Sequence, residues 1–295
     1  MAEKPVRGIA PVERLLERLL REWKPDAVVC TYMVYPYMLD SLASRTGRAV
    51  PYLTVVTDSF VINKSWLCSK SPLWAVTDPW TRAIMEEKGL PQDRLRVTGF
   101  PVNPVLGALA EEHPLSWKEG EPFRVLYFAQ RSARHARAEL AGMLDANPAL
   151  HVTCILGRRF RRIYPRIRDL RARYGRRLTV RGWTRRVPSY LAASHVVVGK
   201  AGGATVHEVL AAARPMLVNF LLPGQEEGNT RLLEKLGGGS HVPDARALAS
   251  ALQEMMADGG AQWRRMHENL LRAGMTGGSG RIADLALKLA EEHTN

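Results

Sequence analysis

The chain has 295 residues, 46% of them hydrophobic, three cysteines and a formal net charge of +13. That length is enough for two α/β domains. No apolar run approaches the roughly 20 residues of a membrane span, and no signal-peptide-like apolar core follows the N-terminus. Cys30, Cys68 and Cys154 lack paired spacing, so neither a disulfide framework nor a zinc site is implied, and a reducing, cytoplasmic compartment fits.

In chain order, residues 12–23 alternate apolar and charged side chains at helical spacing and predict an amphipathic helix. Short buried strands are predicted over residues 27–30, 50–56 (ending at Thr57-Asp58), 73–76 and 95–97. A helix over 81–88 stops at Gly89. Tyr32, Met33, Tyr35, Tyr37 and Met38, with Trp66, Trp74 and Trp80, read either as core or as groups that tolerate a membrane interface. Residues 107–122 are polar and broken by Pro114 and Pro122, which divides an N-terminal domain (1–106) from a C-terminal one (123–274).

The second domain is expected to carry strands over 123–128, 151–156, 178–180, 196–198 and 216–222. Helices lie between them, one over 161–174 and the last over 245–256. A glycine-rich hinge over 274–280 leads into an amphipathic helix over 282–292. Such alternation implies parallel sheets wound with helices.

The most informative stretch runs from Gly199-Lys200-Ala201-Gly202-Gly203-Ala204-Thr205 to His207-Glu208, and closes with Pro223-Gly224-Gln225-Glu226-Glu227-Gly228-Asn229. A buried strand, a glycine turn and a helix N-terminus together make an anion site, with bare backbone N–H groups and the positive dipole end facing the ligand. A glycine turn after a strand and a first-turn acid are also common structural features. Two such motifs at successive strand ends, at the spacing of a βαβ unit, point instead to a ligand edge.

These residues resemble the donor site of UDP-sugar transferases of glycosyltransferase family 28, in the branch of monogalactosyldiacylglycerol synthases and processive diacylglycerol glucosyltransferases. A second block is similar to the same family: Thr54-Val55-Val56-Thr57-Asp58, Trp66, and Arg96-Val97-Thr98-Gly99-Phe100-Pro101-Val102-Asn103-Pro104. The resemblance runs from about residue 25 to 239. It implies a GT-B-type α/β fold, two Rossmann-like parallel-sheet domains facing across a cleft, in which the C-terminal helix (275–295 with its hinge) returns to the first domain. The family's N-terminal glycine-rich loop with its histidine has no counterpart here, so the N-terminal domain reads as incomplete.

The resemblance further implies an inverting hexosyltransferase that moves galactose or glucose from UDP-galactose or UDP-glucose to a diacylglycerol-type lipid. The alternatives are an inactive nucleotide-sugar-binding remnant and a UDP-sugar epimerase of the same fold. Backbone amides of Gly202, Gly203, Ala204 and Thr205 are expected to hold the diphosphate, and Glu208, one turn on, the ribose diol. Gln225 and Glu226 would contact the donor sugar; Asn229 either completes that loop or caps a helix. Gly182 and Trp183 occupy the uracil-reading position, where Trp183 stacks on the base or belongs to the core. The loop after residue 128 lacks the family's glycine cluster, so either Arg131 or Arg134 supplies a guanidinium to the diphosphate or the site has degenerated. Asp58 is the candidate general base, with capping a turn or orienting a histidine as its other readings. No Asp-x-Asp pair occurs, so metal-independent chemistry without a cofactor is expected.

Between Arg158 and Arg186 stand thirteen arginines and one acid, Asp169, so that window carries almost all of the net charge. Nucleic acid is a poor fit, since no aromatic-interleaved stacking strand accompanies the arginines. A solvated helix face combined with attraction to an anionic membrane surface fits better. The expectation is a cytoplasmic protein bound peripherally to the inner face of the membrane.

Overall fold

The computed structural model describes residues 9–112 and 115–294. The chain divides into two compact units. Unit 1 comprises Met1–Asp58, Ile62–Pro101 and Gly278–Asn295, and unit 2 comprises Ser59–Val61 and Val102–Gly277.

Unit 1 contains α1 (Ala10–Trp23), β1 (Val28–Cys30), α2 (Val34–Thr46), β2 (Tyr52–Val55), β3 (Leu73–Val76), α3 (Pro79–Glu87) and β4 (Leu95–Val97). Its four strands lie in the order β1-β2-β3-β4, all parallel. α3 starts where Asp78 caps it by accepting the Thr81 N–H at 2.8 Å. Met38, Trp66 and Trp74 are buried, so these side chains of the aromatic and methionine cluster belong to the core, whereas Tyr32 and Tyr35 are exposed.

Unit 2 begins with α4 (Val105–Glu112), then β5 (Phe123–Phe128), α5 (Ala133–Ala146), β6 (Leu150–Ile155), α6 (Phe160–Ile163), α7 (Arg168–Tyr174), β7 (Leu178–Arg181) and α8 (Val187–Ala192). It continues through β8 (Val196–Lys200), α9 (Gly203–Ala211), β9 (Met216–Phe220), α10 (Gln225–Lys235), β10 (Gly239–His241) and α11 (Ala245–Ala273). The sheet is parallel throughout, in the order β10-β9-β8-β5-β6-β7. Strands buried on both faces must be apolar throughout, and Val196, Val197 and Val198 are each 0% exposed. α12 (Gly278–Thr294) belongs to unit 1, where Ile282 packs on Leu53, Val55 and Ala75.

Several expectations need correction. The N-terminal part of unit 1 ends at Pro101 rather than 106, and residues 107–112, expected to be linker, belong to α4; Pro114, expected to mark the linker, lies outside the described residues. The helix expected over 161–174 is broken into α6 and α7 by a 3-10 turn over Tyr164–Arg166, because Pro165 lacks the N–H an unbroken helix requires. The last helix does not stop at 256. Residues 257–260 leave helical geometry there, with Gly260 against the Trp117 ring, and α11 resumes beyond the kink. Residues 278–280, assigned to the hinge, are the first turn of α12.

Candidate functional site

The strand order of unit 2 fixes where a ligand belongs. From β5 the chain winds outward to β6 and β7, then returns to β8 on the other side of β5 and continues to β9 and β10. The crossover makes a switch point at the C-terminal ends of β5 and β8, where open α/β sheets leave a crevice. A cleft of about 480 Å³ opens there, lined by Gln130 after β5, Arg158 and Arg159 after β6, Lys200 at the end of β8, and Phe220 and Leu222 at β9. β8 approaches β5 closely enough that a Cβ on Gly199 would lie 3.3 Å from the Phe128 Cβ.

The glycine turn joins β8 to α9. Gly202 is the N-cap residue, at φ −68° and ψ 139°, and the first intrahelical bond runs from the Val206 N–H to the Gly202 carbonyl at 2.9 Å. The N–H groups of Gly203, Ala204 and Thr205 therefore have no intrahelical acceptor. Gly202 does not join them: its N–H donates to the Lys200 carbonyl at 2.8 Å, so the expected diphosphate contact from its amide is corrected. One turn into α9, Glu208 is half-buried, has no hydrogen-bond or ion-pair partner among the described residues, and is raised above its ordinary pKa by burial. His207, on the buried side of the helix, meets the Ser59 hydroxyl at 3.3 Å and is driven by burial down to about 3.

The second motif packs beneath the first. The Asn229 amide donates to the Ala201 carbonyl at 2.9 Å, which ties α10 to the glycine turn, and its Oδ1 is buried without a partner. Asn229 lies inside α10, so the capping alternative is excluded. Glu226 is corrected as a sugar contact, because both its oxygens are used internally. One pairs with the Lys200 ammonium and the other accepts the Leu222 N–H at 2.8 Å. Gln225 opens α10 after Gly224 and is exposed. Gly228 admits no side chain, since a Cβ would stand 2.0 Å from the Ser59 carbonyl oxygen.

Of the two arginines proposed after β5, Arg131 is partly engaged. Its Nη1 donates to Glu139 at 3.3 Å and to the Asn219 carbonyl at 3.4 Å, and the guanidinium lies over Phe220. Glu139 is itself buried and accepts from Tyr127 at 2.5 Å and Asn219 at 2.7 Å. Arg131 thus closes a core network and keeps a partly exposed edge. Arg134 is exposed on the first turn of α5. Trp183 is 60% exposed with the Arg185 guanidinium over its ring, which rules out the core reading; Gly182 lies against the Phe160 ring.

In unit 1, Asp58 ends the turn after β2 and is 1% exposed, with its Oδ2 accepting the Trp66 indole N–H at 2.8 Å. Reasoning from sequence missed Arg158, Arg159 and Lys200 as pocket residues. The signal was present for the first two: they directly follow β6, and residues just past a parallel strand line the ligand edge. The length of the arginine window hid it.

Two parallel-sheet α/β domains, the second carrying a glycine turn with free helix-start amides at its switch point, define a protein of the GT-B type. Residues 9–102 match the family model of monogalactosyldiacylglycerol (MGDG) synthase, and residues 141–279 match the glycosyltransferase family 28 C-terminal domain. The chain belongs to glycosyltransferase family 28.

Among curated relatives it is similar to the processive diacylglycerol beta-glucosyltransferase of Staphylococcus carnosus, at 25% identity over 84% of this chain and 63% of that protein. It is also similar to that of Bacillus subtilis, at 23% identity over 95% of this chain and 73% of that one. The chain therefore spans about two thirds of the length of these relatives. In fold it resembles UDP-GlcNAc 2-epimerase from Neisseria meningitidis bound to UDP-GlcNAc, with TM-score 0.68, 15% identity, and 97% and 83% of the two chains covered.

Proposed function

We propose that the chain is a UDP-sugar-dependent, inverting hexosyltransferase that moves glucose or galactose to a diacylglycerol-type lipid. The observation that carries this reading is the pairing of three unsatisfied first-turn amides with an unpartnered, half-buried carboxylate one turn further along α9. The Gly203, Ala204 and Thr205 N–H groups take the diphosphate, and the Glu208 carboxylate accepts from the ribose diol. The curated relatives' names supply the acceptor class, and the UDP-sugar-bound fold neighbour supports the donor class.

In the reaction the lipid hydroxyl oxygen attacks C1 of the sugar, the bond from C1 to the UDP oxygen breaks, and the hydroxyl proton passes to a base. Asp58 is the base in this reading, its carboxylate oriented by Trp66; hydrogen bonds of catalytic groups often form fully only with substrate bound. The charge arriving on the departing diphosphate is met by pre-aimed amides and the helix dipole, without need of a metal or cofactor. Gln225 and the buried Oδ1 of Asn229 face the sugar, Trp183 with Gly182 the uracil, and the exposed edge of Arg131 the diphosphate. No helix among the described residues is long and apolar enough to cross a membrane. The reading places the protein on the cytoplasmic face of a bilayer, held there by the arginine-rich window.

UDP release from UDP-glucose and UDP-galactose, measured with and without diacylglycerol vesicles, tests the proposal. Release is expected only with the lipid present. Release without lipid, accompanied by a free epimerised sugar, would establish an epimerase. UDP binding without turnover under any condition would leave a binding protein.

A further inference from the structure

A second cationic pocket, of about 330 Å³, sits at the other edge of the unit 2 sheet, by the N-terminal ends of β5, β6 and β7. It shares no lining residue with the cleft at the glycine turn. Its floor is an unusual strand face. The parallel register sets Arg124 beside His151 and Thr153 beside Thr179, while Val125, Val152 and Val180 point into the core. Parallel sheets are ordinarily apolar on both faces because helices cover both. Here one face of β6 and β7 keeps His151, Thr153 and Thr179 half-buried and polar.

Arg176 and Arg177 rise from the turn before β7 to form one wall, and Tyr190 and Ser194 from α8 and its end form another. No carboxylate lines the space. The arginines are positioned by neutral acceptors: Arg124 Nε donates to the Ala193 carbonyl at 2.6 Å, and Arg177 Nη1 to the Leu144 and Asn147 carbonyls at 3.0 and 3.1 Å. Such bonds fix a guanidinium without neutralising it. Arg176 is exposed and has no acid partner among the described residues. His151 is held below its ordinary 6.5 by burial, then by Arg177 and Arg124. The remaining titratable neighbour, the Tyr190 hydroxyl, accepts from Arg181 at 3.3 Å.

We propose that this pocket binds a phosphate ester, its charge met by Arg124, Arg176 and Arg177 and its oxygens by the Thr153 and Thr179 hydroxyls. Guanidinium groups bind phosphate through paired, charge-assisted hydrogen bonds. Three uncompensated positive charges around a half-buried polar space give an anion a field to enter. The ester is either a soluble metabolite or the headgroup of an anionic lipid, and the two share the same recognition chemistry.

The test uses the full chain with two probes: sn-glycerol 3-phosphate in solution, and phosphatidylcholine vesicles with or without phosphatidic acid. Ring resonances of His151, assigned by their loss in His151→Gln, report the pocket itself. Binding is expected to raise the His151 pKa, and Arg176→Ala or Thr179→Val to weaken binding about tenfold while leaving UDP affinity unchanged. Thr179→Val conserves shape, so it separates loss of the site from loss of the fold. A His151 response to the free ester identifies a soluble ligand, and a response only to phosphatidic acid vesicles identifies a headgroup. The proposal is overturned if neither probe moves His151, or if both variants bind like the wild type.

Discussion

Half-buried Glu208 and fully buried His195 make opposite demands on their surroundings. Glu208 is raised by desolvation with no partner to offset it, an arrangement that costs the free protein and is repaid by a ligand that donates hydrogen bonds. Glu208→Ala is expected to weaken UDP binding about tenfold to a hundredfold, as loss of bonds to a charged acceptor does. In the wild type, affinity should fall with pH at a higher value than the 4.5 of an ordinary glutamate, since the ionised form is the acceptor. Calorimetric titration with UDP across pH checks both.

His195, by contrast, is satisfied as a neutral ring. Its Nδ1 accepts the Arg124 backbone N–H at 2.8 Å, it stacks on Phe123, and burial lowers it from 6.5 to about 4. Because the folded pKa is depressed, the unfolded chain binds the proton first as pH falls. Its contribution to stability is therefore complete above pH 6.5 and is lost on the way down to about 4. Unfolding free energies from urea titrations should decline over that window at up to about 1.4 kcal/mol per pH unit from this residue. His195→Gln should flatten the slope.

At the scale of elements, the glycine turn shows how one short segment leaves helix-start amides without acceptors. Gly202 spends its own amide on Lys200 and takes the extended conformation that ends β8, so the three amides after it all point outward at the start of α9. The φ and ψ of Gly202 are those a residue preceding proline prefers, and proline is well tolerated at the first helical position. Gly203→Pro should therefore remove one free donor and leave the helix intact. UDP affinity is expected to drop about tenfold or more with an unchanged circular dichroism spectrum; undiminished affinity would remove the Gly203 amide from the diphosphate site.

Most elements were legible from periodicity, because apolar parallel strands and one-sided helices leave plain patterns. The expected strand over 196–198 and the Gly202 to Glu208 turn and helix coincide with β8 and α9. What was not legible arose from chain breaks whose effect depends on packing. Pro165 divides α6 from α7, and the glycine pair at 259–260 kinks α11 against Trp117 without ending it. Glu226 and Asn229 look like loop groups in sequence, but in the fold they bind the Lys200 ammonium and the Ala201 carbonyl.

At the scale of the molecule, the arginine window is not one surface. Arg158 and Arg159 line the cleft at the switch point, and Arg176 and Arg177 line the pocket at the opposite sheet edge. Arg173 pairs with Asp145, and Asp169, the window's only acid, pairs with Arg137 from outside it at 2.6 Å. Exposed pairs of this kind contribute little stability, so the excess charge is left for partners. Sedimentation with phosphatidylglycerol vesicles should show binding that falls steeply between low and physiological salt, as screening of surface charge requires. Equal binding to neutral phosphatidylcholine would remove electrostatic attachment from the functional reading.

The sequence by itself determined two α/β domains, a strand–glycine turn–helix unit at Gly199 to Glu208, and kinship with family 28, because strand hydrophobicity and glycine spacing are local properties. Only the tertiary structure decided which of those groups are available. Gly202 and Glu226 proved to be spent, Glu208 and the amides of Gly203, Ala204 and Thr205 unspent, and a run of arginines was divided between two edges of one sheet. The physical reason is that a polar group serves a ligand only when no neighbour has already satisfied it, and those neighbours come from distant strands and helices.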